Sequence, residues 1–186
     1  MRIISGTARG TKLKTLEGTT TRPTLDRVKE PLFSILQNSI QDAMILDLFS
    51  GSGALGLEAL SRGAKYAVLC DNNFDAIKII KENIAKTKFD VTTKVIGSDF
   101  KDSLLELSKS NMQFDIIFLD PPYKTEYAFE ATRQILEYNL LLPTGLIVLE
   151  TNDIKREETL LNKLNINIID KRKYGKVNLI FVNRKG

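Results

Sequence analysis

The chain has no histidine and one cysteine, Cys70, among its 186 residues. Without histidine, neither a Ser-His-Asp triad nor a Cys/His zinc site can be assembled, and no metal is expected. With one cysteine there is no internal disulfide. Cys70 sits in an apolar run and reads as a small core residue. No apolar stretch approaches the roughly 20 residues of a membrane span, and no signal-peptide core follows Met1. A cytoplasmic protein without membrane association is expected. A 42% hydrophobic content suffices for a sizeable core, and the length suits one domain with a short appendage.

The net charge is only +4, but it is unevenly spread. Arg2, Arg9, Lys12, Lys14, Arg22, Arg27 and Lys29 crowd the first thirty residues against Glu17, Asp26 and Glu30. Lys171, Arg172, Lys173, Lys176, Arg184 and Lys185 close the chain with no acid among them. Basic ends around an acidic body point to a polyanion-binding surface built from both termini.

Six short, nearly continuous apolar runs recur: Met44–Phe49, Tyr66–Cys70, Ile116–Leu119, Leu146–Leu149, Ile166–Ile169 and Leu179–Val182. Such runs suit parallel strands buried on both faces. Val91–Ile96 is a weaker seventh. Helical stretches alternate with them. Ala76, Ile77, Ile80 and Ile84 share one face behind Asn73 as a cap, and Ala128, Thr132, Ile135 and Leu136 share another. Shorter helices fit 53–61 and 101–108. The alternation calls for a doubly wound α/β sheet, with Tyr174-Gly175-Lys176 turning an antiparallel hairpin at its end.

An N-terminal extension over 1–40 precedes a main domain over 41–186. Arg2–Ser5 and Lys12–Thr15 flank Gly6 and Gly10, which suggests a β-hairpin. Its glycines would let backbone approach a polyanion, with Arg2, Arg9, Lys12 and Lys14 as phosphate contacts. Val28, Leu32, Leu36 and Ile40 then make the core stripe of a helix. Pro31 either sits in the first turn of that helix, which then starts near Glu30, or kinks it, and the later start is the favoured reading.

Asp47-Leu48-Phe49-Ser50-Gly51-Ser52-Gly53-Ala54-Leu55-Gly56 leaves a strand and opens a helix. Gly51, Gly53 and Gly56 match the dinucleotide pattern, and Asp71, followed by Asn72, ends the next strand where an acid holds ribose hydroxyls. Asp47 is placed to face the cationic methionine end of S-adenosylmethionine. Asp99 is suited to an adenine amine or to a helix N-cap, with Phe100 beside the ring.

Asp120-Pro121-Pro122-Tyr123 follows another strand at the same ligand-binding edge. An exocyclic amine on a base is a poor nucleophile, because its lone pair is delocalised into the ring. The Asp120 carboxylate and the Pro121 carbonyl would accept its two N–H groups and oppose that delocalisation. The two prolines stiffen the loop and remove competing donors. Tyr123 would stack on an extruded base. Pyrimidine carbon-5 methylation is disfavoured, because Cys70 is buried in a strand.

Together these residues resemble the class I amino methyltransferases of nucleic acids. Arg2-Ile3-Ile4-Ser5-Gly6, Thr21-Arg22-Pro23-Thr24, Arg27-Val28-Lys29-Glu30 and Leu48–Ala64 sharpen the likeness. They are similar to the bacterial 16S ribosomal RNA guanine-N2 methyltransferases that act at guanine 966. The resemblance covers essentially the whole chain and weakens after Pro143. It implies a mostly parallel, Rossmann-like seven-stranded sheet, S-adenosylmethionine as cofactor, and the small ribosomal subunit or its assembly intermediate as substrate; a small domain with an accessible basic face suggests a monomer. It also brings in Thr24 and Arg27 near the methionine end of the cofactor, with Arg22 there or on phosphate. Two positions depart from the family pattern. Asp71 stands where glutamate is usual, and Pro31 replaces a good helix former.

Three other readings stay open. N6-adenine methylation uses the same tetrapeptide, although no separate target-recognition domain is visible. A nicotinamide oxidoreductase explains the glycines and Asp71 but leaves Asp120–Tyr123 without a role. An inactive RNA-binding module conflicts with intact Asp47, Asp120 and Tyr123.

Overall fold

A computed structural model describes residues 1–16, 23–122 and 125–185, with backbone alone for 23–27. The apolar runs form one sheet. Strands β1 (Met44–Asp47), β2 (Tyr66–Cys70), β3 (Thr93–Ile96), β4 (Phe114–Leu119) and β5 (Leu141–Thr151) pair in parallel. The chain closes with β6 (Ile166–Tyr174) and β7 (Val177–Arg184), and the sheet order is β3-β2-β1-β4-β5-β7-β6. Strand β7 runs antiparallel between β5 and β6, so the last strand is inserted rather than added at the edge. The third strand starts later than its apolar pattern suggests. Asp90–Thr92 form a 3₁₀ turn and Val91 is 89% exposed.

Alternate residues of each central strand enter two separate cores. Ile45, Leu69, Phe118, Val148 and Phe181 face one side. Leu46, Val68, Ile117, Leu149 and Ile180 face the other. The first side is covered by α1 (Pro23–Ile35), α2 (Gln37–Ile40), α3 (Ala54–Ser61) and α4 (Phe74–Thr87). The second is covered by α5 (Phe100–Lys109), α6 (Tyr127–Glu137) and α7 (Ile154–Leu161). Asn73 caps α4 as expected, accepting from the Asp75 and Ala76 N–H groups at 2.8 and 3.1 Å. Phe33, Phe114, Phe118 and Phe181 are buried, as is Cys70.

The N-terminal helix corrects one expectation. It begins at Pro23 rather than near Glu30, and Pro31 lies inside it. Pro23 takes the first helical position, where a missing N–H costs nothing. Pro31 removes one rung of the ladder, yet burial of Val28, Leu32, Phe33 and Leu36 holds the helix through it. The stripe also breaks at Leu36, with Ile40 carried on α2.

The predicted hairpin is shorter than its sequence suggests. It holds one antiparallel bridge, Arg2 to Lys12, with three backbone bonds beside it: Ile3 to Thr11, Gly10 to Ile3 and Leu13 to Met1. Past the bridge, helix side chains take over the backbone. The Glu58 carboxylate accepts from Ile4 and Ser5 N–H at 2.8 and 3.1 Å. Asn83 accepts from Lys14 N–H at 2.8 Å and donates to its carbonyl at 3.0 Å. The ribbon is therefore moored to α3 and α4 and shares their core through Ile3 and Leu13.

Candidate active site

Strands β1 and β4 lie side by side, with Asp47 level with Phe118. The glycine loop and the Asp120 tetrapeptide therefore leave the sheet at one edge, from adjacent strands. That edge is where open α/β sheets bind ligands.

The three glycines answer to different constraints. Gly51 has φ +56°, and a Cβ there would meet nothing within 4 Å, so its backbone borders open space. Gly53 has φ +78° and opens α3 in a left-handed conformation that disfavours side chains. Gly56 is a packing glycine: a Cβ there would stand 2.2 Å from Leu69. The Ser50 hydroxyl ties the loop to the Asp47 carbonyl at 2.6 Å.

Asp47 is only 2% exposed, and its Oδ2 accepts from the Gly56 N–H at 3.1 Å. Burial, with the nearby charge of Asp71, pushes its carboxyl up to about 7 against the pull of the Gly56 and Ser50 hydrogen bonds. A buried acid balanced near neutrality is a receptor for a cationic group. Asp71 braces the loop from β2. One of its oxygens accepts from Gly51 N–H at 2.8 Å and the other from Asn73 N–H at 2.9 Å, while Asn72 is exposed beside it.

Asp99 caps α5 by accepting from Lys101 N–H at 3.0 Å, which supports the capping alternative for that oxygen. Phe100 is 5% exposed, packed against Phe49 at 5.5 Å and Tyr127 at 5.1 Å between ring centroids. Tyr127 is the most exposed ring of the three.

Asp120 is half-buried, Pro121 buried and Pro122 exposed. The Thr125 hydroxyl donates to the Pro122 carbonyl at 2.8 Å and fixes the far side of the turn. Cavities flank the tetrapeptide on two sides. One is lined by Asp120 with Lys29, Leu32, Leu55 and Glu150. The other is lined by Pro121 and Pro122 with Thr125, Glu150, Arg156 and Glu157. Tyr123 and Arg22 lie outside the described residues, and Thr24 and Arg27 lie on the backbone-only turns of α1. No group of acids and cysteine able to hold a metal occurs among the described residues.

Arg2, Arg9, Lys12 and Lys14 are all exposed on the ribbon. Lys14 is paired with Glu82. The glycines of the ribbon are not equivalent. A Cβ on Gly6 would overlap the Ser61 carbonyl, so Gly6 serves contact with α3, whereas Gly10 faces open space. Of the two glycines expected to open the backbone to a polyanion, Gly6 is packed against α3 and only Gly10 is left accessible.

Sequence reasoning missed the acid that holds this region. Glu58 is fully buried and meets Lys29, also fully buried, at 3.1 Å and Arg62 at 2.8 Å, besides the two ribbon N–H groups. Lys29 donates in turn to the Arg2 carbonyl at 2.7 Å. An acid inside the apolar run Ala54–Leu60, and a lysine flanking the Val28–Leu32 stripe, were the signals available. Glu150, Arg156 and Glu157 carried none, since they lie in polar or strand-end segments.

A dinucleotide-binding sheet commonly runs 3-2-1-4-5-6. Insertion of an antiparallel strand before the sixth, over this glycine loop and tetrapeptide, defines the class I methyltransferase fold. The model of the family described as Conserved hypothetical protein 95 matches residues 1–183. The ribosomal RNA small subunit methyltransferase D of Haemophilus influenzae is 36% identical over 94% of this chain and 93% of its own. The Escherichia coli K12 protein of the same name is 36% identical over 81% and 74%. A solved structure from Thermus thermophilus, described as a hypothetical protein, superposes with a TM-score of 0.80 at 30% identity, over 98% and 99% of the two chains. The chain belongs to the ribosomal RNA small subunit methyltransferase D family.

Proposed function

We propose that this protein transfers a methyl group from S-adenosylmethionine to the exocyclic N2 amine of a guanine in 16S ribosomal RNA. Membership of a ribosomal RNA methyltransferase family supports the coarser reaction. The observation that supports methylation at an exocyclic amine is the position of Asp120-Pro121 beside the glycine loop, on adjacent strands, and the choice of guanine N2 rests on the resemblance to the guanine-N2 methyltransferases.

The residues fit the cofactor. Gly51 borders open space at its backbone, and the buried Asp47 carboxyl suits the α-ammonium group. Asp71 stands at the end of β2, where ribose hydroxyls bind in this architecture. When bound, the cofactor supplies a methyl group on a positively charged sulfur. The protein's part is to present the amine. The Asp120 carboxylate and the Pro121 carbonyl accept its two N–H groups and turn the lone pair toward that methyl. Because no histidine exists and Cys70 is buried, the site works by positioning and electrostatics. Tyr123 is assigned to stack on the extruded base. Thr24, Arg27 and Arg22 are assigned to the methionine end or a nearby phosphate, and Arg2, Arg9 and Lys12 to the RNA backbone.

The test is transfer of labelled methyl from S-adenosylmethionine to small ribosomal subunits from cells lacking the activity, followed by nucleoside analysis. N2-methylguanosine is the expected product. N6-methyladenosine would keep the fold and mechanism and overturn the base assignment.

A further inference from the structure

We infer that Glu157 reads the Watson–Crick edge of the target base and selects guanine over other purines. The inference rests on the guanine-N2 reading and deepens it.

Glu157 lies in the first turn of α7 and is 5% exposed. Among the described residues its Oε2 has no hydrogen-bond partner. A buried carboxylate oxygen without a donor is costly, and native proteins seldom keep one without use. Burial raises its carboxyl above the ordinary range, in spite of the adjacent Arg156. Glu157 lines one cavity together with Pro121 and Pro122. An occupant of the space next to the reactive loop is placed to supply the donor that this oxygen lacks among the described residues.

Guanine supplies that donor. Beside its N2 amine lies N1–H, and beyond it the O6 acceptor. A base whose amine is held by Asp120 and Pro121 presents N1 as its next position along the same edge. The Glu157 carboxylate accepts from N1–H. Arg156, anchored by a 3.0 Å bond from Nη2 to the Thr125 carbonyl, brings a donor suited to O6 to the same cavity. 2-Aminopurine carries the same 2-amino group, but its N1 is a bare lone pair facing the carboxylate. Adenine has the same N1 lone pair. A site built to bond a particular N–H rejects analogues that lack it far more strongly than a shape-selective pocket does.

The test uses small subunits reconstituted with 16S RNA that carries guanine or 2-aminopurine at the position methylated by the wild-type enzyme. Wild type is expected to favour guanine by about 100-fold or more in kcat/KM. Glu157→Gln keeps the shape and offers a donor as well as an acceptor. It is expected to lose about tenfold or more on guanine, to gain on 2-aminopurine, and to shrink the preference to below about tenfold, with S-adenosylhomocysteine affinity unchanged. An unchanged preference, or an equal loss on both bases, overturns the inference and leaves Glu157 a packing residue. Glu157→Leu removes the buried charge. It is expected to melt no lower than wild type while losing guanine activity, so loss of fold is separable from loss of recognition. If wild type itself forms no N2-methylguanosine, the functional reading fails instead, whatever the variants do.

Discussion

At the scale of single residues, the proposed reaction divides the work of the site between Asp47 and Asp120. Asp120→Ala removes an acceptor that acts on the amine alone. It is expected to cut transfer by about 100-fold or more, with S-adenosylhomocysteine affinity, measured by calorimetry, within about twofold of wild type. In that reaction Asp47 is assigned to the cofactor side. Its folded carboxyl titrates near 7, against an ordinary value of 3.8. Between those two values the folded state binds the proton more tightly than the unfolded state, so stability falls as pH rises through the window. Asp47→Asn is therefore expected to raise the melting temperature of the free protein more at pH 8 than at pH 5. It is also expected to weaken cofactor binding at both. In wild type, a cation seated beside Asp47 draws off its proton, and affinity should increase from pH 6 to pH 8. A pH-independent affinity would place the ammonium group elsewhere. The glycines, Asp71 and Asp120 were legible in the sequence because strand-end position and residue type suffice to identify them. Glu157 was not, because only tertiary burial distinguishes it from the other acids of a polar helix.

At the scale of elements, the N-terminal ribbon is held by side chains rather than by its own ladder. Glu58 gathers two ribbon N–H groups, Lys29 from α1 and Arg62 from its own helix. Breaking a buried ion pair from one side is costly, so Glu58→Gln is expected to lower the unfolding free energy by about 3 kcal/mol or more. Denaturant titration measures this, and limited proteolysis should then cut first within residues 1–16. The strands could be read in advance, since continuous apolar runs have few alternatives in an alternating α/β chain. The start of α1 could not. Two prolines eight residues apart each satisfy the rule for a first helical turn, and only the packing of Val28 and Leu32 decides between them.

At the scale of the molecule, topology sorts the basic C-terminal run into two groups. Thr151 at the end of β5 pairs with Asn178 at the start of β7. The turn carrying Lys173 and Lys176 therefore lies at the same edge as the glycine loop and Asp120. Arg184 pairs with Ile166 at the opposite edge, where it donates to Asn139 at 2.6 Å. The C-terminal run does not contribute its charge as one surface. Lys173→Ala with Lys176→Ala is expected to raise the RNA KM and flatten its salt dependence, as is Arg9→Ala with Lys12→Ala. Arg184→Ala with Lys185→Ala should leave both unchanged. Equal effects from both C-terminal pairs would show that RNA wraps the far edge as well.

Strand β7 follows β6 in the chain, yet it fills the slot between β5 and β6. During translation β5 must wait with an apolar, unpaired flank until β7 has emerged. A ribosome stalled before β7 has emerged would thus display an open template for strand addition by another chain. Quality control that removes such unfinished chains, rather than the stability of the finished fold, would then set how much of the protein accumulates when synthesis is slowed.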